Sequence, residues 1–525
     1  MFFYNDPPER PPEDVEPTGY VPTRNFTDLQ QIEVTYDSAS KYECTETYLY
    51  TDDFFNWPSS MYDPDLAIAS VYLSVASFGA PSKIPESQYR YAFEFLDNIG
   101  FENLDVNDDF KQFPGTYTIG AVAGMKELTD ESGDTFTVIA LGTRGDGYGN
   151  EWASNFLVGN GEDSYGHHKG FYDSALKVID FLNGYITKYE ISGNIKVWTS
   201  GFSRGAAVAN VTAGLLDTAL ADGGSPLGES VVFDKYDLYC YTIATPAGVY
   251  YDGTDAYPDP HSKTYNNIKN MIVYGDMIPK LTFKDMGFHR YGTDINISNI
   301  KDFDYEGRKR IAIEMYNAYE GLEDYKTYFV DRFVPYKIDL SNFNNLDDII
   351  QVDLTSKKTF DSTLDSFFGK LSAGIEDRQW FVDNIQDPFI ELYDVLTEVD
   401  QRYSPYEFIF ALVQLKMQQG DTVLRNLGLK ILGNGDISDD IEGDVSYLLS
   451  RMGRDPSKAA DISDGINTFI HSVKSLVLNG DIVILNDLVS IAMNYESIGL
   501  PHYCELYMSW MKSDNQHYRT LFYGL

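Results

Sequence analysis

Between residues 116 and 274, short β-branched runs alternate with small-residue helical stretches. This alternation restricts the fold more than any other feature of the chain. The run at 135–142, TFTVIALG, is nearly all apolar, as suits a central strand buried on both faces. TYTIGAVAGM precedes it, across a polar turn containing Asp130, Ser132, Gly133 and Asp134. Residues 168–187 follow as a helix, with Phe171, Ala175, Val178, Ile179 and Leu182 at helical spacing. Next come a strand at 194–200 (NIKVWTS), a small-residue helix at 204–220, and strands at 236–244 and 269–274. Strand–helix–strand order at this pitch predicts an α/β fold around a mostly parallel sheet. An amphipathic helix is expected at 65–80.

After about residue 300 the pattern turns helical. Over 404–420, Ser404 is placed as N-cap, Pro405 at the first helical position, Glu407 in a capping box and Gly420 as the stop. Residues 308–333, 380–399 and 466–478 also read as helices. The predicted organisation is a flexible acidic tail at 1–45, an α/β core at 46–304, a helical insertion at 305–495 and a return to the core at 496–525. The tail is inferred from composition: Pro7, Pro8, Pro11, Pro12, Pro17 and Pro22 lie among acids, and such a segment buries too little to offset its ordering entropy.

Charge and cysteine content exclude several functions. There are 40 Lys+Arg against 80 Asp+Glu, a net charge of −40. A field this negative disfavours nucleic acid and repels anionic membrane surfaces at low salt. Three cysteines, Cys44, Cys240 and Cys504, are too few for a disulfide scaffold or a multi-cysteine zinc module. No H-E-x-x-H pair occurs, and the acidic run 433–440 lacks calcium-loop spacing and reads as a loop between helices. Residues 145–149 are glycine-rich but lack the Lys-Ser/Thr of a phosphate cradle. No metal and no cofactor is expected. No run of 18 apolar residues argues for a transmembrane anchor, and the N-terminus lacks the basic and apolar regions of a secretory signal. A cytoplasmic location is the default expectation, with secretion if a signal was trimmed. Oligomeric state is not legible.

The chemistry centres on Gly201-Phe202-Ser203-Arg204-Gly205. This G-x-S-x-G lies between the strand NIKVWTS and the helix RGAAVANVTAGLL, the context of a nucleophile elbow. Gly201 and Gly205 are needed where side chains would strike neighbouring backbone. The backbone N–H of Arg204, at the helix start, suits one donor of an oxyanion hole. A serine hydroxyl needs a base oriented by an acid. Asp276, directly after the strand KNMIVY, is the preferred acid because sheets of this type carry functional groups at strand C-terminal ends. His167 and His168 precede the serine, His261 lies in a polar loop before the acid, and His471 sits in an apolar helical pattern. His289, His502 and His517 stay open as the base.

Six pieces in order resemble the class 3 lipase family of α/β-hydrolases. VIALGTRG at 138–145 is similar to a strand ending in an Arg-Gly-Thr/Ser turn. Glu151-Trp152-Ala153-Ser154-Asn155-Phe156 resembles Asp-Trp-x-x-Asp-Leu. His168-Lys169-Gly170-Phe171 resembles His-x-Gly-Phe. With the elbow, TIATPAGV at 242–249 and Tyr274-Gly275-Asp276-Met277-Ile278-Pro279-Lys280-Leu281 complete the set. The resemblance implies Asp276 as triad acid. It implies His502 as base, through His502-Tyr503-Cys504-Glu505-Leu506-Tyr507, over His289, whose Phe288-His289-Arg290-Tyr291-Gly292 resembles a non-catalytic element. It also implies Thr143 as a second oxyanion donor, through its N–H and hydroxyl. The expected activity is hydrolysis of lipid or small-molecule carboxylic esters through an acyl-enzyme on Ser203. Phe202 and Arg204 depart from the family's usual His and Leu, and the elbow also resembles that of phospholipase-type bacterial effectors. The Arg204 side chain is expected either to meet an acidic substrate group or to pair with a nearby carboxylate. The competing class is a non-catalytic hydrolase scaffold whose helical block binds a partner.

Overall fold

A computed structural model of the protein describes residues 29–37, 43–78, 89–297, 378–399, 405–478 and 502–515, with a strand pair at 337–338 and 352–353. The 89–297 segment is interrupted at 113, 116, 131, 146–150, 152, 160, 162–163, 255, 274–275, 277 and 281–285. The described chain opens with a hairpin of β1 (Gln30–Asp37) and β2 (Glu43–Tyr50). This corrects the expected tail at 1–45 where the hairpin replaces it; residues 1–28 lie outside the described residues. Val34 and Tyr36 on β1, and Tyr48 and Tyr50 on β2, are fully buried. Alternate residues of each strand thus face one core, a pattern that the surrounding acid and proline obscured.

The remaining strands are β3 (Glu102–Val106), β4 (Ala121–Thr129), β5 (Thr135–Thr143), β6 (Gly193–Phe202), β7 (Val231–Val232), β8 (Leu238–Ile243), β9 (Val249–Tyr250), β10 (Ile268–Ile272), β11 (Phe288–His289) and β12 (Thr293–Asn296). The main sheet runs β12-β10-β8-β6-β5-β4-β3, with β7 beside β6, while β9 and β11 pair separately. From β12 to β5 every pairing is parallel; β4 and β3 join antiparallel. Side-chain alternation assigns the two faces. Val138 and Ala140 enter one apolar cluster, whereas Ile139 and Leu141 enter the other.

Among the described residues, α1 (Pro64–Ala76), α2 (Arg90–Asn98), α3 (Lys169–Lys188) and α4 (Arg204–Ala221) flank this sheet. Helices α3 and α4 cover one face; α1, α2 and the hairpin cover the other. The expectation of an amphipathic α1 is overturned, because every residue from Leu66 to Ala76 is buried. Sheet, hairpin and a later helix enclose it on all sides. Its serines are satisfied within the helix, Ser70 and Ser74 donating to the carbonyls four residues back at 2.8 and 2.7 Å.

The C-terminal region is helical. A turn at Arg378–Phe381 and a π-helical turn at Val382–Gln386 lead into α5 (Asp387–Val399), followed by α6 (Pro405–Gln419), α7 (Asp421–Leu432), α8 (Ser438–Arg451) and α9 (Ala459–Leu478). Leu392, Phe408, Ile441, Val445, Ile462 and Ile466 share a cluster of their own. Contact with the α/β part runs through Phe389 and Tyr393, packed with Ala153 and Phe156. Arg378 donates to the carbonyls of Val158, Gly159 and His167 at 2.5–2.7 Å. The acidic run forms the expected loop between helices over 433–437, and its last residues enter α8, where Asp439 and Asp440 favour the first turn through the helix dipole. The helix predicted at 308–333 lies outside the described residues. Finally α10 (Cys504–Asp514) returns to pack against α1.

Candidate active site

Strand β6 and helix α4 meet at Ser203, whose φ of +55° and ψ of −124° are far from both strand and helix values. A non-glycine residue rarely holds such a conformation unless its surroundings impose it. Here they do. The Ser203 N–H donates to Ile243 O at 2.9 Å, and Ser203 O accepts from Ala207 at 3.1 Å, closing the first turn of α4. The flanking glycines leave room for this turn. A Cβ on Gly201 would stand 2.3 Å from Thr143 Oγ1, and one on Gly205 would stand 2.6 Å from Thr143 O and 2.7 Å from Arg144 O.

The structure brings Ser203, His502 and Asp276 into one hydrogen-bonded line. His502 Nε2 is 2.8 Å from Ser203 Oγ, and His502 Nδ1 is 2.9 Å from Asp276 Oδ2. With an ionised acid, Nδ1 carries the proton and Nε2 is left to accept from the serine. Asp276 is fully buried and its other oxygen accepts the Ile278 N–H at 2.9 Å. The ring of Phe202 lies 5.0 Å from that of His502 and walls it on one side.

One participant carried no role in the sequence reading. Tyr507 donates its hydroxyl to Asp276 Oδ2 at 2.7 Å, the oxygen that also takes His502. Burial and the adjacent Asp276 carboxylate push the Tyr507 hydroxyl well above its ordinary pKa, so it remains a donor. The available signal was its position five residues after His502, just over one turn into α10.

Thr143 departs from expectation. Its hydroxyl donates to Gly205 O at 2.8 Å and approaches Ser200 O at 3.1 Å. Its backbone lies inside the sheet, in register with Gly201 on one side and Ala121 on the other. Thr143 therefore braces the elbow from the sheet side and does not turn its hydroxyl toward a substrate. Gly145 instead meets the elbow's outer turn, where a Cβ would be 2.7 Å from Phe202 O.

The Arg204 side chain follows the pairing alternative. It is fully buried, donating to Ser154 Oγ at 2.5 Å, Thr118 O at 2.8 Å and Ser174 Oγ at 3.2 Å, with Glu151 3.8 Å away. Arg144 also pairs with Glu151, through Nε at 3.0 Å and through Nη2. Two buried guanidiniums thus share one buried carboxylate beneath the elbow. Such a group is costly to break, since loss of one partner strands a charge in low dielectric.

The other histidines lie elsewhere. His289 faces His261, ring nitrogens 3.2 Å apart. His167 meets Tyr291 and Ser164, and His168 meets Asn155 O at 3.0 Å while stacking on Phe171. Burial holds both rings below the usual histidine pKa, His168 at about 3. His471 Nε2 lies 3.1 Å from Gly435 O. His517 is outside the described residues. Among the described residues no three His, Cys, Asp or Glu side chains converge to hold a metal ion.

Residues 141–286 match the family model for lipase (class 3). Over that segment the chain is similar to class 3 lipases. This lipase-like hydrolase has the α/β-hydrolase architecture, a mostly parallel sheet with a helical C-terminal region. A crystal structure of M37 lipase is similar to it over 42% of this chain and 72% of that one, at 16% identity and a TM-score of 0.26. No curated protein matches the chain. The matched segment contains Ser203 and Asp276 and ends well before His502. No helix among the described residues is long and apolar enough to cross a membrane.

Proposed function

We propose that the protein hydrolyses carboxylic esters of lipids through an acyl-enzyme on Ser203. The observation that carries this reading is the line from Ser203 Oγ through His502 to Asp276, at 2.8 and 2.9 Å. His502 takes the serine proton as Oγ attacks the ester carbonyl. It then returns that proton to the leaving alcohol. Asp276 fixes the tautomer and stabilises the imidazolium that forms. We assign one oxyanion donor to the Arg204 N–H, at the positive end of α4. In the second half-reaction water, activated by the same histidine, releases the acid and frees Ser203.

The preference for lipid acyl esters over small polar esters rests on the similarity of residues 141–286 to class 3 lipases. A fluorophosphonate probe tests the nucleophile: the wild type becomes labelled and Ser203→Ala does not. Labelling that survives this substitution refutes the assignment. His502→Ala is expected to abolish turnover of a triacylglycerol emulsion, whereas His289→Ala retains it. The reverse result would reassign the base.

A further inference from the structure

We propose that Glu46, on the N-terminal hairpin, is a positioning residue for His502, acting through Lys512 and Tyr72. The proposal rests on the reading of His502 as the base. His502 is 226 positions along the chain from Asp276 and 299 from Ser203. Chain connectivity over such a span imposes no orientation. Side-chain contacts must therefore hold α10 in place.

Helix α10 is pinned at three levels. Near its start, Tyr507 bonds Asp276 at 2.7 Å. Just past its end, Asn515 Nδ2 donates to Asp65 Oδ1 on α1 at 2.9 Å. Between them, the buried Lys512 ammonium donates to Tyr72 Oη at 2.6 Å and to Glu46 Oε2 at 3.3 Å. Glu46 also accepts from Tyr72 Oη at 2.8 Å and from Tyr36 on the other strand of the hairpin. One carboxylate therefore joins β1, β2, α1 and α10. Burial lowers the Lys512 pKa, and Glu46 counters that shift. From the first turn of α10, Cys504 and Glu505 lie near the same cluster, the thiol donating to the Glu505 carboxylate at 3.2 Å.

This latch reaches the reaction through a rigid rod. Lys512 and Cys504, the first residue of α10, are eight residues apart, about 12 Å at helical rise, and His502 sits two residues before Cys504. A displacement at Lys512 moves the start of α10 with it. A shift of about 1 Å at a reacting group can cost on the order of 10²-fold in rate. The apolar side of the contact is continuous too, since Tyr36, Tyr48, Met508 and Met511 belong to one buried cluster.

The test measures turnover of p-nitrophenyl butyrate by Glu46→Gln, Lys512→Met and the double variant, at a temperature where circular dichroism shows each folded. His502→Ala is the control. Glu46→Gln is expected to lower kcat about 10- to 100-fold with KM within about twofold. The double variant should lose no more than the worse single, because both changes break one contact. Should Glu46→Gln not fold, Glu46→Asp keeps the charge one methylene short and should still lower kcat selectively. A kcat within twofold of wild type for the folded Glu46 variant, or losses that multiply in the double, overturns the proposal. If His502→Ala abolishes turnover while the Glu46 variant is unaffected, the latch alone fails. If His502→Ala keeps full turnover, the base assignment fails and the latch with it.

Discussion

Replacing Tyr507 with phenylalanine removes one oxygen from the fully buried side of the site. The ring can stay where it is, 5.7 Å from Phe202 and edge-on to it at 84°. What disappears is a 2.7 Å bond to an ionised, buried carboxylate, and the Val273 N–H loses its acceptor at 3.2 Å. Charge-assisted hydrogen bonds are worth about 1.5–3 kcal/mol, so Tyr507→Phe should lose that much stability in urea denaturation. Only part of the loss reaches the chemical step, because His502 still binds Asp276 Oδ2. If about 1 kcal/mol does, kcat falls about 5-fold with KM little changed. A variant with wild-type kcat and unchanged stability would refute the assignment of Tyr507 as support for the acid.

Glu151→Gln should cost about 3–5 kcal/mol, read by chemical denaturation, because it leaves the buried Arg144 and Arg204 guanidiniums without the carboxylate they share; a change below 1 kcal/mol would mean that the cluster is neutralised elsewhere. Gly205→Ala should abolish labelling of Ser203 by a fluorophosphonate and destabilise by about 1–3 kcal/mol or more, because the new methyl would meet two backbone oxygens at 2.6 and 2.7 Å. The buried His168 is held at about 3, below its unfolded value of about 6.5. The unfolded chain therefore binds a proton that the folded chain refuses, and stability should fall as pH drops from about 6.5 toward 3. At pH 4.5 this amounts to about 2–3 kcal/mol, and His168→Phe, keeping the stack on Phe171, should flatten that dependence in urea midpoints at pH 7 and 4.5.

Local chemistry was legible wherever neighbours in sequence are neighbours in space. The β-branched run at 135–142 became β5, and the small residues after the serine became α4. Pro405 and Gly420 framed α6, whose described end is Gln419 followed by Gly420 at φ +106°; the cap expected at Ser404 lies outside the described residues. The tail estimate failed at 30–37 because composition averaged away the alternation of Val34 and Tyr36. Thr143 was misplaced for a related reason. A residue at a strand end has two sides, and sequence does not say which one faces the ligand. Here the hydroxyl went to Gly205 O.

By itself, then, the sequence determined the strand–helix alternation, the tight turn at Ser203 and the residue types able to move a proton. These depend on backbone sterics and side-chain spacing within a few residues. Only the tertiary structure decided which histidine meets the serine and what supports the acid. It also turned Arg204 inward and built the elbow's floor from Thr143. Those contacts join groups up to 299 positions apart. Their energies come from burial and from charge in low dielectric, quantities that exist only once the chain has packed.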